Sequence, residues 1–303
     1  MAGLSLAPDF QGEPFFSGVV PIGTGTAALE SLSSYVIRVG NRFALPAPDL
    51  LRYALTQVPG VRRRRRLLAW GALNGAGPSV AVAVEGLATV TGLTHGERMS
   101  YTGLVHLLRL HDRELVSPIR RWCLRCWADD DPPYDRKLWW LGLVDACPVH
   151  ACLLETRCGT CGRLQPSLTL GVRLHHCSYC GHDLMSAAEP LPLGAGAGAR
   201  RRLWYARQAA DLVHADEVIA LIGSDESDSV RTAYAALAEH ATARGLDGVS
   251  LSLRRMRVRK QPTVGWLEAL LSALWRLDQE VLVLFSPAVG EAVRASSDRA
   301  SSG

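Results

Sequence analysis

The sequence predicts a mainly α-helical protein with small β elements beside its cysteines. Apolar residues recur at spacings of three and four along several segments, and all eight cysteines lie between residues 123 and 180. The 303-residue chain is 48% hydrophobic with a net charge of only +4, which is typical of a folded protein. We therefore predict an N-terminal helix-turn-helix-like domain, a tandem zinc-ribbon or zinc-finger region and a C-terminal helical part.

Composition divides the chain into six parts. These are an N-terminal extension (1–25), a helical domain (26–117), a zinc-binding region (118–185), a linker (186–199), a C-terminal helical domain (200–294) and a disordered tail (295–303). The linker is rich in Pro, Gly and Ala, and the tail is rich in Ser and Ala. Because there is no secretory signal and no apolar run long enough to cross a membrane, we expect a cytoplasmic protein with reduced thiols.

Helical periodicity is clearest in the N-terminal third. Leu29, Leu32, Val36, Val39 and Phe43 form one apolar stripe, with Thr26 as the predicted N-cap. A second helix is predicted over residues 49–56, after Pro48. The segment from Val80 to Val90 fits a helix or an alternating strand, and we favour the helix.

A helix-turn-helix motif is predicted around Gly92. Ala88 lies four residues before it, as the motif's turn requires, and Thr94 is placed to cap a following helix that runs to about Tyr101. In this reading Thr94, His95, Glu97 and Arg98 face the DNA groove. An ordinary helical hairpin is the alternative.

The C-terminal part contains three further predicted helices, over residues 200–222, 228–243 and 263–284. Between the last two lies a basic cluster formed by Arg254, Arg255, Arg257, Arg259 and Lys260. Because Met256 and Val258 alternate with these cations, the cluster is predicted to be a basic strand or edge, which serves either as a phosphate contact or as a protected sheet edge.

The strongest pattern in the sequence is four pairs of metal-ligating residue types. Each pair has two intervening residues, and the pairs are Cys123/Cys126, Cys147/His150, Cys158/Cys161 and Cys177/Cys180. Such turns present two ligands to one zinc ion, and two turns separated by 15 to 20 residues complete a tetrahedral site. The sequence therefore predicts two structural Zn²⁺ ions, the first held by three cysteines and one histidine, the second by four cysteines.

Several alternatives remain at this stage. Cys152 competes with His150 for the first site, whereas His175, His176 and His182 are interpreted as bystanders of the second. A RING-type cross-brace would instead combine the first pair with the third and the second with the fourth. Redox dithiols or plain buried cysteines are less consistent with the repeated spacing.

The predicted metal sites favour a non-enzymatic protein. An ion with four protein ligands has no open position for an activated water. The acidic residues Asp129, Asp130, Asp131 and Asp135 are interpreted as a solvated loop rather than a magnesium site. No phosphate-binding loop, esterase or metalloprotease motif occurs in the sequence.

The net positive charge is concentrated in the first third of the chain. Residues 30–75 contain eight arginines and two acids. Five of these arginines are consecutive (Arg62, Arg63, Arg64, Arg65 and Arg66), and such a run neutralises DNA phosphates in a salt-dependent way. A solvated basic loop or a contact to an acidic partner is the alternative.

Several segments resemble the TniQ family, which includes TnsD-type target selectors of bacterial transposons. The similarity lies in ESLSSYVIRVGNRF (30–43), RWCLRCWADD (121–130), LWWLGLVDACPVHACLLETRCGTCGRL (138–164) and HHCSYCGHDL (175–184). It covers about residues 24–185 and is most specific around the cysteines. Leu124 departs from the pattern, since the family usually has proline after the first cysteine.

The resemblance implies a non-catalytic adaptor for transposition. TniQ-like proteins bind target DNA or a DNA-bound complex, which in some systems is RNA-guided, and recruit the transposon's AAA+ ATPase and transposase. Homodimers are one option in the family. A zinc-containing transcription regulator and a RING-like interaction module are the alternative functions.

Overall fold

A computed structural model describes residues 14–59, 73–75, 78–108, 116–166, 173–186, 189–222, 226–258 and 266–284. Within these ranges the chain forms nine α-helices, and its β structure consists of isolated bridges. The mainly helical class predicted from the sequence is therefore confirmed. Across these same ranges, no helix has the length and apolar character needed to cross a bilayer.

The N-terminal helices pack against one another in sequence order. They are α1 (Leu32–Arg42), α2 (Ala47–Thr56), α3 (Pro78–Thr91) and α4 (His95–Leu108). The prediction of Thr26 as the cap of α1 was wrong, because the Ser31 hydroxyl accepts the capping hydrogen bond from the Ser34 N–H. Pro48 lies in the first turn of α2 rather than before it, where its missing N–H costs nothing.

The connection between α3 and α4 contains the glycine turn and the threonine cap that the sequence predicts. The segment from Val80 to Val90 is helical, and Gly92 adopts a left-handed conformation with φ of 77°. The Glu97 N–H donates to Thr94 Oγ1 at 3.3 Å, and the Thr94 N–H donates to Glu97 Oε2 at 2.7 Å. This reciprocal pair is a capping box, so Thr94 caps α4 as predicted.

A tryptophan core organises the cysteine-rich region, where α5 (Leu124–Asp129) is the only α-helix within the described part. The rings of Trp122 and Trp127 stack with centroids 5.4 Å apart, and the guanidinium of Arg120 lies 5.3 Å from the Trp127 ring. His175 packs edge-on against the same ring at 4.7 Å. One side chain of α5 therefore joins the two halves of the region.

Residues 134–137 attach the cysteine-rich region to the N-terminal helices. The Ser31 N–H donates to the Asp135 carbonyl at 2.7 Å, and the Lys137 N–H donates to the Leu29 carbonyl at 2.8 Å. The Lys137 ammonium reaches the carbonyls of Ser100 and Tyr101 on α4, each at 3.1 Å. Backbone pairing and a buried cation thus hold the two regions together.

Asp135 is buried, so the prediction that it belongs to a solvated acidic loop was wrong. Its carboxylate accepts two hydrogen bonds from Arg120, from Nε at 2.6 Å and from Nη2 at 3.0 Å, and both side chains are at most 4% exposed. The two charges can be buried because each is paired with the other, and removing one partner would leave an unpaired buried charge.

The C-terminal part consists of α6 (Ala197–Ile222), α7 (Glu226–Ala243), α8 (Asp247–Val258) and α9 (Trp266–Leu277), and α6 also packs against α4. The predicted basic strand is wrong as far as Val258, because Arg254 and Arg255 lie on α8. The last helix ends at Leu277, earlier than predicted, since Asp278 turns left-handed with φ of 56°.

Part of the predicted linker lies against the cysteine-rich region. The Leu153 N–H donates to the Leu191 carbonyl at 3.0 Å, and Cys152 forms an isolated antiparallel bridge with Pro192. This pairing links the start of the C-terminal helices to the turn that follows His150.

Replacing Asp135 with alanine tests the buried ion pair. We expect a loss of about 3–5 kcal/mol in the free energy of unfolding, because the Arg120 guanidinium would remain buried and unpaired. Asp49→Ala is the matched control, since Asp49 pairs with Arg52 at the surface and its loss should cost less than about 1 kcal/mol. Denaturant titrations followed by tryptophan fluorescence measure both. Equal, small losses for the two variants would contradict this assignment.

Candidate metal centres

Three of the four predicted ligand pairs each lie on a tight turn, and the three turns are of the same type. In each, the residue four positions after the first cysteine donates its N–H to that cysteine's carbonyl. These contacts are Ala151 to Cys147, Gly162 to Cys158 and Gly181 to Cys177, at 3.0, 2.9 and 3.0 Å. All three donors have positive φ, which explains glycine at two of them and leaves Ala151 as an alanine in a left-handed conformation.

The first pair has the same N–H to carbonyl contact, but there the contact is part of a helix and its donor has no positive φ. Cys123 precedes α5 and Cys126 lies on it, so the Trp127 N–H donates to the Cys123 carbonyl at 3.1 Å as part of the helix. Because Cys126 and Trp127 are adjacent on α5, this helix places a ligand and the central ring of the tryptophan core side by side.

The structure brings the eight predicted ligands together as two clusters, each with its four ligand atoms within 4.8 Å of one another. The first contains Cys123, Cys126, Cys147 and His150, and the second contains Cys158, Cys161, Cys177 and Cys180. The pairs are therefore combined in sequential order, whereas a RING-type cross-brace would combine the first pair with the third.

The interatomic distances fit a tetrahedral ion. The Sγ atoms of Cys126 and Cys147 are 3.6 Å apart, and those of Cys158 and Cys180 are 3.8 Å apart. Zinc–sulfur bonds of about 2.3 Å in a tetrahedron place two sulfurs about 3.8 Å apart, whereas a disulfide needs about 2.05 Å. All eight cysteines are free. Both clusters can therefore hold a metal ion, and their soft donor sets suit zinc.

Asp129 supports the first cluster from outside. Nδ1 of His150 faces the sulfurs of Cys126 and Cys123 at 3.3 and 3.5 Å, while its Nε2 lies 2.9 Å from Asp129 Oδ2. A carboxylate that accepts the distal N–H fixes the tautomer of a ligating histidine. The sequence places Asp129 in an acidic run that was predicted to be solvated, and the 21 positions that separate Asp129 from His150 gave no signal of this contact.

Gln165 has a comparable role at the second cluster and was not singled out from the sequence. Its amide nitrogen donates to Cys177 Sγ at 3.4 Å, and its amide oxygen accepts from the Ser178 N–H at 2.9 Å. Although burial opposes ionisation of Cys177, backbone N–H groups of Cys180 and Tyr179 lower the pKa of its thiol to about 6. The turn therefore favours the thiolate that a metal requires.

The remaining thiol and histidines lie near the clusters but outside them. Cys152 Sγ is 3.5 Å from Cys123 Sγ, yet it is not one of the four mutually close ligand atoms of the first cluster. Burial lowers the pKa of His175 to about 4, so this imidazole is neutral in the core. Neither His176 nor His182 enters the second cluster, in agreement with their interpretation as bystanders.

The predicted DNA-contacting residues differ in their exposure and in the contacts that they make within the chain. Thr94 and His95 are exposed at the start of α4, and Thr94 and Glu97 are hydrogen-bonded to each other in the capping box. Arg98 is half-buried, with its Nη1 3.5 Å from Glu85 Oε2. Residues Arg62 to Arg66 lie outside the described residues.

Comparison with known proteins identifies one family. Residues 21–154 match the family model described as TniQ. This span includes α1 to α5 and all ligands of the first cluster, whereas the second cluster and α6 to α9 lie beyond it. No curated protein matches the chain.

Changing Asp129 to asparagine tests the outer contact of the first cluster. We expect the zinc affinity of the first cluster to fall by about 10–100-fold, because an amide is a poorer acceptor for the His150 N–H than a carboxylate is. Asp131→Asn removes an exposed neighbouring carboxylate and should leave both affinities unchanged. Competition with a chromophoric chelator measures each site. Identical curves for the two variants would exclude a supporting role for Asp129.

Proposed function

Because this chain belongs to the TniQ family through residues 21–154, it is associated with transposition, and we propose that it is a non-catalytic adaptor for target-site selection. In this proposal it binds target DNA, or a DNA-bound complex that includes an RNA-guided one, and recruits an AAA+ ATPase and a transposase. The family relationship supports these partners.

The observation that carries the proposal is the pair of four-ligand clusters built around one tryptophan core. We propose that each holds one structural zinc ion, with the eight residues named above as ligands. Four protein ligands leave no position for an activated water, so such ions stabilise a shape instead of performing chemistry. Structural zinc of this kind supplies on the order of 10–16 kcal/mol of coupled folding free energy.

The DNA contact is proposed at the N-terminal helices. Thr94 and His95 are exposed where α4 begins, at the end of a short connection from α3. Arg62 to Arg66 supply the closest concentration of positive charge in the sequence. In this proposal the exposed polar residues contact the groove, and the basic run contacts phosphates.

Recruitment of the ATPase is the direct test of the adaptor function. The full-length chain, tagged and immobilised, should retain the AAA+ ATPase of its transposon, and target DNA should increase the amount retained. Retention of the ATPase in neither condition, together with sequence-specific binding to a promoter, would instead support a transcription regulator.

Substituting Arg62 to Arg66 with alanine tests the phosphate contact. We expect weaker binding to duplex DNA and a flatter plot of log K against log salt, because each lost phosphate contact removes about 0.9 from the slope. Replacing the same five residues with lysine keeps the charge and should largely preserve the slope. Fluorescence anisotropy at several salt concentrations gives both quantities, and an unchanged slope in the alanine variant would contradict the contact.

A further inference from the structure

The C-terminal helices contain a second helix–turn–helix arrangement that the family match does not cover. Helices α7 and α8 are joined by three residues, 244–246, and pack closely against each other. Gly245 is left-handed, with φ of 68°, and Ala241, four residues earlier, is completely buried. The same Ala-x3-Gly spacing occurs at Ala88 and Gly92 between α3 and α4.

Hydrogen bonds fix the angle between α7 and α8. The Leu246 N–H donates to the Ala241 carbonyl at 2.9 Å, which closes the end of α7. The hydroxyls of Thr242 and Ser250 are 2.9 Å apart and link the two helices directly. Arg244 donates from Nη1 to the Leu277 carbonyl at 2.9 Å, which anchors the turn to the end of α9. The pair is therefore a rigid unit.

Helix α8 has one buried face and one exposed face. Val249, Ser250 and Leu253 are buried against the other C-terminal helices. Leu251 lies six residues after Gly245, where the usual motif has a buried anchor, yet it is 51% exposed because Val249 and Leu253 fill that role here. Ser252, Arg254 and Arg255 are exposed too, so this helix presents an uncovered surface along much of its length.

Two of the exposed residues of α8, Arg254 and Arg255, are cations, and they belong to a basic segment of the sequence. Residues 248–267 contain five cations and no acid, and the cations are Arg254, Arg255, Arg257, Arg259 and Lys260. Within the described residues, no carboxylate forms an ion pair with Arg254 or Arg255. A helix C-terminus favours nearby cations, but like charges this close together repel one another, so the concentration suits an anionic partner.

We infer that α7 and α8 form a second DNA-binding element, in which α8 lies on duplex DNA. Arg254 and Arg255 contact phosphates, while Leu251 and Ser252 face the groove, where an apolar side chain can meet a thymine methyl. This element extends the proposed function to a second surface. It does not depend on recruitment of the ATPase.

The double variant Arg254→Ala/Arg255→Ala tests the phosphate contacts in the full-length chain. We expect about tenfold weaker binding to a fluorescein-labelled 40-base-pair duplex and a salt slope reduced by about 1–2, as two phosphate contacts predict. The control Arg207→Ala/Arg276→Ala removes two exposed arginines from α6 and α9 in the same part of the chain. Equal losses in the two double variants, or no loss in either, would overturn the inference.

Photocrosslinking locates the contact independently of affinity. A p-azidophenylalanine at Ser252 on α8 should attach labelled duplex, whereas the same residue at exposed Glu239 on α7 should not. No crosslink from position 252, or equal crosslinking from both, would reject the placement. Crosslinking without ATPase retention would contradict the adaptor function alone, and ATPase retention without crosslinking would contradict this inference alone.

Discussion

Tetrahedral ligation of the two proposed ions is the constraint on which our account of the cysteine-rich region depends. Within its described residues, β structure is limited to isolated bridges, so regular sheet cannot hold its segments in place. Each cluster brings together two ligand pairs, which are separated by 20 residues in the first cluster and by 15 residues in the second. The backbone of these segments places the ligand atoms close together and does not align the segments as strands of a sheet. An ion bound at each cluster would supply the stability that short loops cannot gain from burying apolar surface.

Buried contacts connect the first cluster to the N-terminal helices. Cys126 and Trp127 are neighbours on α5, and the Trp127 ring contacts Trp122, Arg120 and His175. Arg120 then pairs with Asp135, whose backbone is hydrogen-bonded to α1 through Ser31 and Ser34. A ligand change at the first cluster is thereby coupled to the N-terminal helices through buried contacts, which suits a protein that acts by presenting surfaces to partners.

Local chemistry accounts for the features that could be predicted from the sequence. The spacing of the ligand pairs and the capping box at Thr94 both involve residues within a few positions of one another. Asp135 was assigned incorrectly because its backbone is buried against Ser31 and Ser34, about 100 residues earlier in the chain. The basic segment at Arg254 alternates with apolar residues as a strand does, and only packing of Val249 and Leu253 against the neighbouring helices fixes it as α8.

X-ray absorption at the zinc edge of the purified full-length chain tests the central claim most directly. Seven cysteines and one histidine shared by two ions predict an average first shell of about 3.5 sulfur and 0.5 nitrogen atoms per zinc, with sulfur at about 2.3 Å. A shell with an oxygen ligand and fewer sulfurs would mean an open site. Absence of bound zinc from the folded protein would contradict the account altogether.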